Sequence, residues 1–185
     1  MGFLSFGSKK DKVKKLIEEE RFEEIVEMAS KDKKAFNAVF ELLDESAPGI
    51  LGDALLLITM VADRSPDAIE PHVETLFPKA VQLAKHRNPY VKENAMILAY
   101  ELVGKFKGKI IPLRNRFAGE LIEQLKTGDN NTKGFMMMLI GELKIDEARE
   151  SIEELLNVED KVILPFEGKK WISLGEIARE TLEKL

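Results

Sequence analysis

Two stretches of the chain carry the same pattern about 41 residues apart: Asn88-Pro89-Tyr90-Val91-Lys92-Glu93-Asn94-Ala95 and Asp129-Asn130-Asn131-Thr132-Lys133-Gly134-Phe135-Met136. In this frame Leu98 aligns with Leu139, and Leu102 aligns with Leu143. The same columns are filled one repeat earlier by Ala54, Leu57 and Val61, and one repeat later, after a slip of one residue, by Ala178 and Leu185. A period of roughly 40 to 47 residues with two helices per unit is typical of helical solenoids, which bind partners on extended surfaces.

Composition limits the class of protein. The chain has 185 residues, of which 44% are hydrophobic and 33% charged, and this balance is typical of a soluble globular fold. The formal net charge of -5 disfavours a nucleic-acid role, which usually needs a basic surface. The absence of cysteine excludes disulfides, thiol nucleophiles and cysteine-based metal sites. The 21 Lys and 24 Glu indicate a thermophilic source. Because no run approaches the ~20 apolar residues of a membrane span, we expect a cytoplasmic protein.

Apolar residues recur at intervals of three and four along most of the chain, which predicts an almost entirely helical structure. We expect helices near residues 10–19, 21–30, 33–45, 48–63, 67–86, 89–105, 110–127, 131–144, 147–157 and 174–185. Ser65 and Asn88 each precede a proline and are predicted N-caps, and Ser173 has capping-box spacing to Glu176. The exception to helix is 162–172, which predicts a short hairpin turning at 167–170. The predicted organisation is an N-terminal arm over 1–8 and a single helical domain over 9–185.

The repeated segments of this chain resemble the repeats of the HEAT family. Residues 71–81 are similar to the first helix of such a repeat, and 88–95 are similar to its turn and second helix. The resemblance covers about 33–185 and implies an all-α fold, a right-handed α-α superhelix of the HEAT and armadillo type with a short hairpin near the C-terminus. The family often pairs an Asp in the turn with an Arg early in the second helix. Those positions hold Asn88 with Lys92 and Asp129 with Lys133 here.

The predicted binding surface lies opposite the core stripe of the second helices. At about 100° per residue the core stripe runs through Ala54, Leu57, Ile58, Val61, Ala95, Leu98 and Leu102. The opposite side carries Leu56, Thr59, Glu93, Ile97, Tyr100 and Met138, and it is flanked by Leu55, Met96 and Met137. A solvent-facing stripe is usually polar, and this one is largely apolar. It therefore predicts a concave groove that binds a helix or an extended peptide, in which the methionines make adaptable contacts.

Two other interpretations of this stripe stay open. Met136, Met137, Met138 and their neighbours would be core if curvature or the N-terminal arm closed the groove. Alternatively, the same surface would serve as a homodimer interface. The leading hypothesis is a non-enzymatic protein-interaction or scaffold module that binds its partner in the groove. The lone Trp171 is interpreted as a packing anchor.

The alternative hypothesis is a nucleic-acid-associated factor. Residues 64–126 carry 11 Lys and Arg against 7 Asp and Glu, which is a local excess of +4. The basic turns are 85–87 and 105–116, and solvated loops are their simpler interpretation. These turns project from different parts of a solenoid and need not form one patch.

Enzymatic relatives of the HEAT type provide patterns to compare. The iron-dependent hydroxylases among them present repeated His-Glu pairs, whereas this chain has only His72 and His86, and neither precedes a Glu. The DNA glycosylases use a basic concave face, which the apolar and acidic groove predicted here does not match. No tetrapyrrole-handling motif, phosphate-binding glycine loop or nucleophile elbow is present. We therefore expect no catalytic residues, no metal and no cofactor.

Overall fold

A computed structural model describes residues 7–165 and 171–185. The chain divides into two compact units, Met1–Pro71 and His72–Leu185, called unit 1 and unit 2 and described separately below. The secondary structure is predominantly helical with one small antiparallel hairpin, which confirms the all-α prediction and the hairpin near the C-terminus. Residues 1–6 of the predicted arm and the predicted turn at 167–170 lie outside the described residues. The single domain over 9–185 stays a prediction.

Within its described residues, unit 1 contains five α-helices, with a 3-10 turn at Leu42–Asp44 before the longest of them. They are α1 (Lys9–Glu18), α2 (Phe22–Lys31), α3 (Lys33–Glu41), α4 (Pro48–Arg64) and α5 (Pro66–Ile69).

The long helix α4 is the central element of unit 1. Pro48 stands in its first turn, where a missing N–H costs nothing. Leu55, Leu57 and Ile58 are fully buried although they point in different directions around the helix. A helix that is apolar on most sides needs cover on most sides, and α2, α3 and α5 all pack against α4.

The described part of unit 2 contains six α-helices and two strands, with 3-10 turns at Ile111–Arg116 and Asp146–Ala148. A further 3-10 turn, Glu70–His72, spans the boundary between the units in the sequence. The elements are α6 (Val73–Leu83), α7 (Pro89–Ile110), α8 (Ala118–Thr127), α9 (Asn130–Leu143), α10 (Arg149–Glu153), β1 (Lys161–Ile163), β2 (Trp171–Ser173) and α11 (Leu174–Lys184).

The helices of unit 2 pack as successive pairs, α6 on α7, α8 on α9, and α10 on α11. The central helix α9 also contacts both α7 and α11. Most positions that the repeat predicts as core are fully buried: Ala54, Leu57, Ile58, Val61, Ala95, Met136, Leu98, Leu139, Leu102, Leu143 and Ala178. Leu185, which was placed in the same columns, is only half-buried at the end of the chain's last helix. The predicted core stripe is therefore confirmed.

Two glycines on one side of α9 allow α11 to approach closely. A Cβ at Gly134 would lie 3.1 Å from Ile177 Cδ1 and 3.2 Å from Val162 Cγ2, while one at Gly141 would lie 3.3 Å from side-chain atoms of Thr181. The Thr181 hydroxyl donates a hydrogen bond of 3.2 Å to the Met137 carbonyl oxygen. The small residues, seven positions apart, thus bring α9, α11 and β1 into direct contact.

Several predicted boundaries were wrong, for identifiable reasons. The predicted helix 67–86 is interrupted by the 3-10 turn around Pro71, since a proline removes a helical N–H and clashes with the preceding turn. Pro112 likewise converts the start of predicted helix 110–127 into 3-10 structure. Ser65 makes no capping hydrogen bond with its side chain. Asn88 does cap α7, and the capping box of Ser173 is present, as predicted.

Candidate binding site

The six residues of the predicted groove belong to both units. In unit 2, Glu93 is exposed on α7, while Ile97, Tyr100 and Met138 are half-buried on the neighbouring helices α7 and α9. In unit 1, Leu56 is half-buried on α4. Four of the predicted residues therefore lie on two helices of unit 2 that are in contact.

Thr59 and the flanking methionines differ from expectation. Thr59 is only 8% exposed, and its hydroxyl donates a hydrogen bond of 3.0 Å to the Leu55 carbonyl oxygen, so its assignment to an open face was wrong. Met96 and Met137 are buried, and so is Met136. For Met137 the predicted adaptable contact was wrong, because α9 is enclosed by α7, α11 and β1.

A cavity of about 660 Å³ lies in unit 2 beside the first turns of α7 and α9. Its lining includes the turn 85–87, Glu93 and Met96 of α7, Gln124 of α8, and Ile163 of β1. This volume falls within the ~300–1,000 Å³ typical of ligand pockets. Of the predicted groove residues, Glu93 reaches the cavity. The turn 85–87 belonged to the alternative hypothesis, and it lines the same cavity.

Side-chain caps fix the two helix starts that border the cavity. The Asn88 side chain accepts hydrogen bonds from the N–H groups of Tyr90 (3.0 Å) and Val91 (3.3 Å), and Pro89 has no N–H to satisfy. Asp129 accepts a hydrogen bond of 2.8 Å from the N–H of Thr132 in the same way.

Lys92 of α7 forms an ion pair with Asp129, which links the starts of α7 and α9. Burial alone would raise the pKa of Asp129, but hydrogen bonds from Lys92 and Thr132 outweigh it and lower the pKa. Asp129 is therefore charged at neutral pH and serves as both cap and ionic partner.

Gln124 has one unsatisfied polar atom. This residue is 3% exposed, and its Nε2 donates to the Val81 carbonyl oxygen (3.1 Å) and to Glu120 Oε1 (2.7 Å). Lys85 Nζ donates to the same Glu120 oxygen at 2.7 Å, and the bonds from Lys85 and Gln124 lower the pKa of Glu120. Because both neighbours of Nε2 are acceptors, the amide orientation is fixed. Gln124 Oε1 is left buried without a hydrogen-bond partner among the described residues.

Two charged groups on the cavity wall have no ionic partner within residues 7–165 and 171–185. These are the exposed guanidinium of Arg87 and the exposed carboxylate of Glu93. The lysines Lys85 and Lys92, by contrast, are paired with Glu120 and Asp129. The cavity therefore offers one unpaired cation and one unpaired anion.

His86 adds a donor to this wall. The N–H of Asn88 donates to His86 Nδ1 at 3.0 Å. A neutral imidazole that accepts at Nδ1 carries its proton on Nε2, which is then a hydrogen-bond donor.

Trp171 and Tyr90 are the exposed large hydrophobic residues of the described chain, at 62% and 42% exposure. Trp171 pairs with Ile163 across the hairpin, and directly opposed residues of an antiparallel pair share one face of the sheet. Ile163 lines the cavity, so Trp171 stands directly across the hairpin from a lining residue. Tyr90 directly follows Pro89, which also lines the cavity. The interpretation of Trp171 as a packing anchor was wrong, because most of its side chain is exposed to solvent.

The second basic turn, 105–116, lies at the other end of α7. Residues 89–105 span about 25 Å of helix at ~1.5 Å per residue, so the two basic turns are separated by that length. Glu142 Oε2 accepts from Lys107 at 2.7 Å and its Oε1 accepts from Lys184 at 2.7 Å, while Lys105 pairs with Glu101 at 3.6 Å. Two of the lysines of this turn are thus already paired with carboxylates, which weakens its attraction for a polyanion.

The described residues contain no group of three or more His, Asp or Glu side chains that could hold a metal ion. Within those same ranges, no helix has both the length and the apolar character needed to cross a membrane. No family model matches the chain, and no curated protein matches it. The resemblance to HEAT repeats therefore stays a prediction.

Sequence reasoning missed Gln124, Trp171 and the cavity itself. The rarity of Gln in the chain, with only Gln82 and Gln124, was a weak signal. Nothing in the local sequence indicates that Ile163 would meet the turn 85–87, because that proximity depends on how β1 packs against α9.

Proposed function

We propose that this protein is a non-enzymatic binding module that holds a segment of a partner protein on unit 2. The segment lies at the cavity and along the α7 face, defined as the side of α7 that carries Glu93, Ile97 and Tyr100. The observation that carries this proposal is the cavity of about 660 Å³ with an unpaired Arg87 and Glu93 in its wall and the exposed Trp171 beside it.

The residue types favour a protein partner. Tryptophan, tyrosine and arginine are the residues most enriched among those that dominate binding energy at protein interfaces. An indole with 62% of its surface in water gains free energy when a partner covers it, by about 25 cal/mol for each Å² of apolar surface buried. Trp171, Tyr90 and Arg87 thus make this part of unit 2 better suited to a peptide than to a polyanion.

The α7 face extends the site beyond the cavity. Glu93, Ile97 and Tyr100 follow one another at intervals of four and three and therefore lie on one side of the helix. Ile97 is equivalent to Met138 of α9 in the repeat, and both are half-buried. A segment that starts in the cavity has a continuous, partly apolar path along these residues.

The pairing of helices in unit 2 supports the prediction of a HEAT-like superhelix. In our proposal the helical pairs of unit 2 are HEAT-like repeats in a right-handed superhelix. The support is the 41-residue equivalence of buried positions and the ion pair between Lys92 of one repeat and Asp129 of the next. That ion pair occupies the place of the Asp–Arg ladder of the HEAT family.

The test uses selection of peptides rather than capture from cells. A random 16-residue peptide library is displayed and selected on the full chain, and the selected peptides are titrated while the fluorescence of Trp171, the only tryptophan, is followed. We expect saturable binding with a blue shift as Trp171 becomes covered. Binding should fall at least tenfold in Ile97→Glu and should be retained in Ile122→Glu, which places the same charge at a half-buried isoleucine of α8.

The circular dichroism of both variants must match that of the wild type, so that loss of binding is not loss of fold. Selection of no peptide, or equal affinity for Ile97→Glu and wild type, would overturn the proposal. Peptide-independent self-association that Ile97→Glu abolishes would instead identify this face as a homodimer interface.

A further inference from the structure

We infer that the cavity of unit 2 anchors a carboxylate of the bound peptide on Arg87. This inference rests on the proposed function, because it names the chemistry of the segment that occupies the site.

The first step is the charge of the free groups. Among the cationic side chains of the wall, Lys85 and Lys92 already have carboxylate partners, whereas the Arg87 guanidinium has none in the described parts of the chain. A guanidinium offers a planar pair of donors that matches the two oxygens of a carboxylate. Because it has no carboxylate partner among the described residues, an oxyanion of the ligand is its complementary group.

The second step is the surplus of donors on the same wall. His86 Nε2 is a donor because Nδ1 is occupied by the N–H of Asn88. The N–H groups of Asn130 and Asn131 open α9 and lack partners within the described residues, and Asn131 lines the cavity. Donors of this kind, at the positive end of a helix, stabilise a negative group.

The third step is the acceptor on the same wall. The exposed Glu93 carboxylate has no ionic partner among the described residues, so it is an acceptor for a ligand that also donates hydrogen bonds. A peptide carries N–H groups a few ångströms from its carboxylate. The unpaired cation and the unpaired anion on one wall therefore fit a peptide that bears a carboxylate.

The fourth step is the apolar part of the lining. Pro89, Met96 and Ile163 contribute carbon surface, and Trp171 lies on the same side of the hairpin as Ile163. An apolar side chain next to the carboxylate has surface to cover here. The expected ligand is thus a short segment with a carboxylate at one position and an apolar residue beside it.

The experiment uses three synthetic pools of random octapeptides, titrated against the full chain by the fluorescence of Trp171. The first pool has a free C-terminal carboxylate and no Asp or Glu, the second has an amidated C-terminus and contains Asp and Glu, and the third has neither kind of carboxylate. Binding of the first pool alone identifies a C-terminal carboxylate, and binding of the second alone identifies a side-chain carboxylate. Each pool whose carboxylate is accepted should bind more tightly than the third pool by about five- to tenfold.

Arg87→Gln should remove this preference. Arg114→Gln is the matched control, because Arg114 also lacks a partner among the described residues and lies beyond the far end of α7. The preference should also decline between 50 and 500 mM NaCl, as expected for a solvated ion pair.

Equal binding of all three pools, or a preference that survives in Arg87→Gln, would overturn the carboxylate anchor and leave the proposed peptide-binding function standing. Failure of every pool to bind, together with failure of the 16-residue selection, would overturn both. Inorganic phosphate that competes with the first pool at equal concentration would show an unselective anion site and overturn the peptide assignment.

Discussion

Substitution of Gly175 by alanine is expected to destabilise unit 2, although alanine is the better helix former. Gly175 is the second residue of α11, and its N–H donates a hydrogen bond of 2.9 Å to the Val158 carbonyl oxygen. A Cβ at this position would lie 2.5 Å from the Leu156 carbonyl oxygen and 3.2 Å from its carbonyl carbon. Because the nearest atoms belong to the backbone, no side-chain rotation relieves the overlap.

Two opposing terms decide the magnitude. Replacing glycine by alanine within a helix is worth up to about 1 kcal/mol. Overpacking that displaces backbone costs about 1–3 kcal/mol and sometimes more. A contact of 2.5 Å is well inside ordinary van der Waals distance, so the second term dominates. We expect a net loss of about 1–2 kcal/mol, with a fall in Tm of about 2–4 °C per kcal/mol for a chain of this size.

Gly104→Ala is the matched control. Gly104 also lies within a helix of unit 2, but an added Cβ there meets nothing within 4 Å. This variant should be more stable than wild type by up to about 1 kcal/mol. Urea unfolding followed by Trp171 fluorescence and by circular dichroism measures both changes, with equal m-values as the check that the unfolding reaction is unchanged. A Gly175→Ala protein as stable as wild type, or a shift of both variants in the same direction, would refute the reasoning.

Two further predictions concern ion pairs. Hydrogen bonds from Lys107 and then Lys184 lower the pKa of Glu142, so their stabilisation is complete above the unfolded pKa of about 4.3 and is lost as pH falls through the lower folded value. The free energy of unfolding from urea titrations should therefore be lower for Glu142→Gln than for wild type at pH 7, by about 1 kcal/mol, and the two values should converge near pH 3; a constant gap would contradict this. Asp129→Ala removes both an N-cap and an ion pair, whereas Lys92→Ala removes the ion pair alone. Thermal unfolding should show a loss of about 1–2 kcal/mol for the first and under about 1 kcal/mol for the second, and equal losses would mean that the cap contributes nothing.

The site was predicted from sequence only in part. Helix periodicity predicted that Glu93 and Ile97 lie on the exposed side of α7. Glu93 is exposed and Ile97 is half-buried. Thr59 was misplaced because exposure at the margin of a stripe depends on the neighbouring elements. Met137 was misplaced for the same reason: Thr181 of α11 donates to its carbonyl oxygen, and its side chain is buried.

The sequence by itself determined the helical class, the 41-residue equivalence, the core columns and the caps at Asn88 and Ser173. These features depend on spacing along one helix or on contacts within a few residues, and such information is local. Tertiary structure alone decided the cavity, the orphaned Oε1 of Gln124 and the exposure of Trp171. Each of these requires β1, α8 and α9 to meet, and the distances between such segments are set by packing, in part by the glycines of α9 that allow close approach.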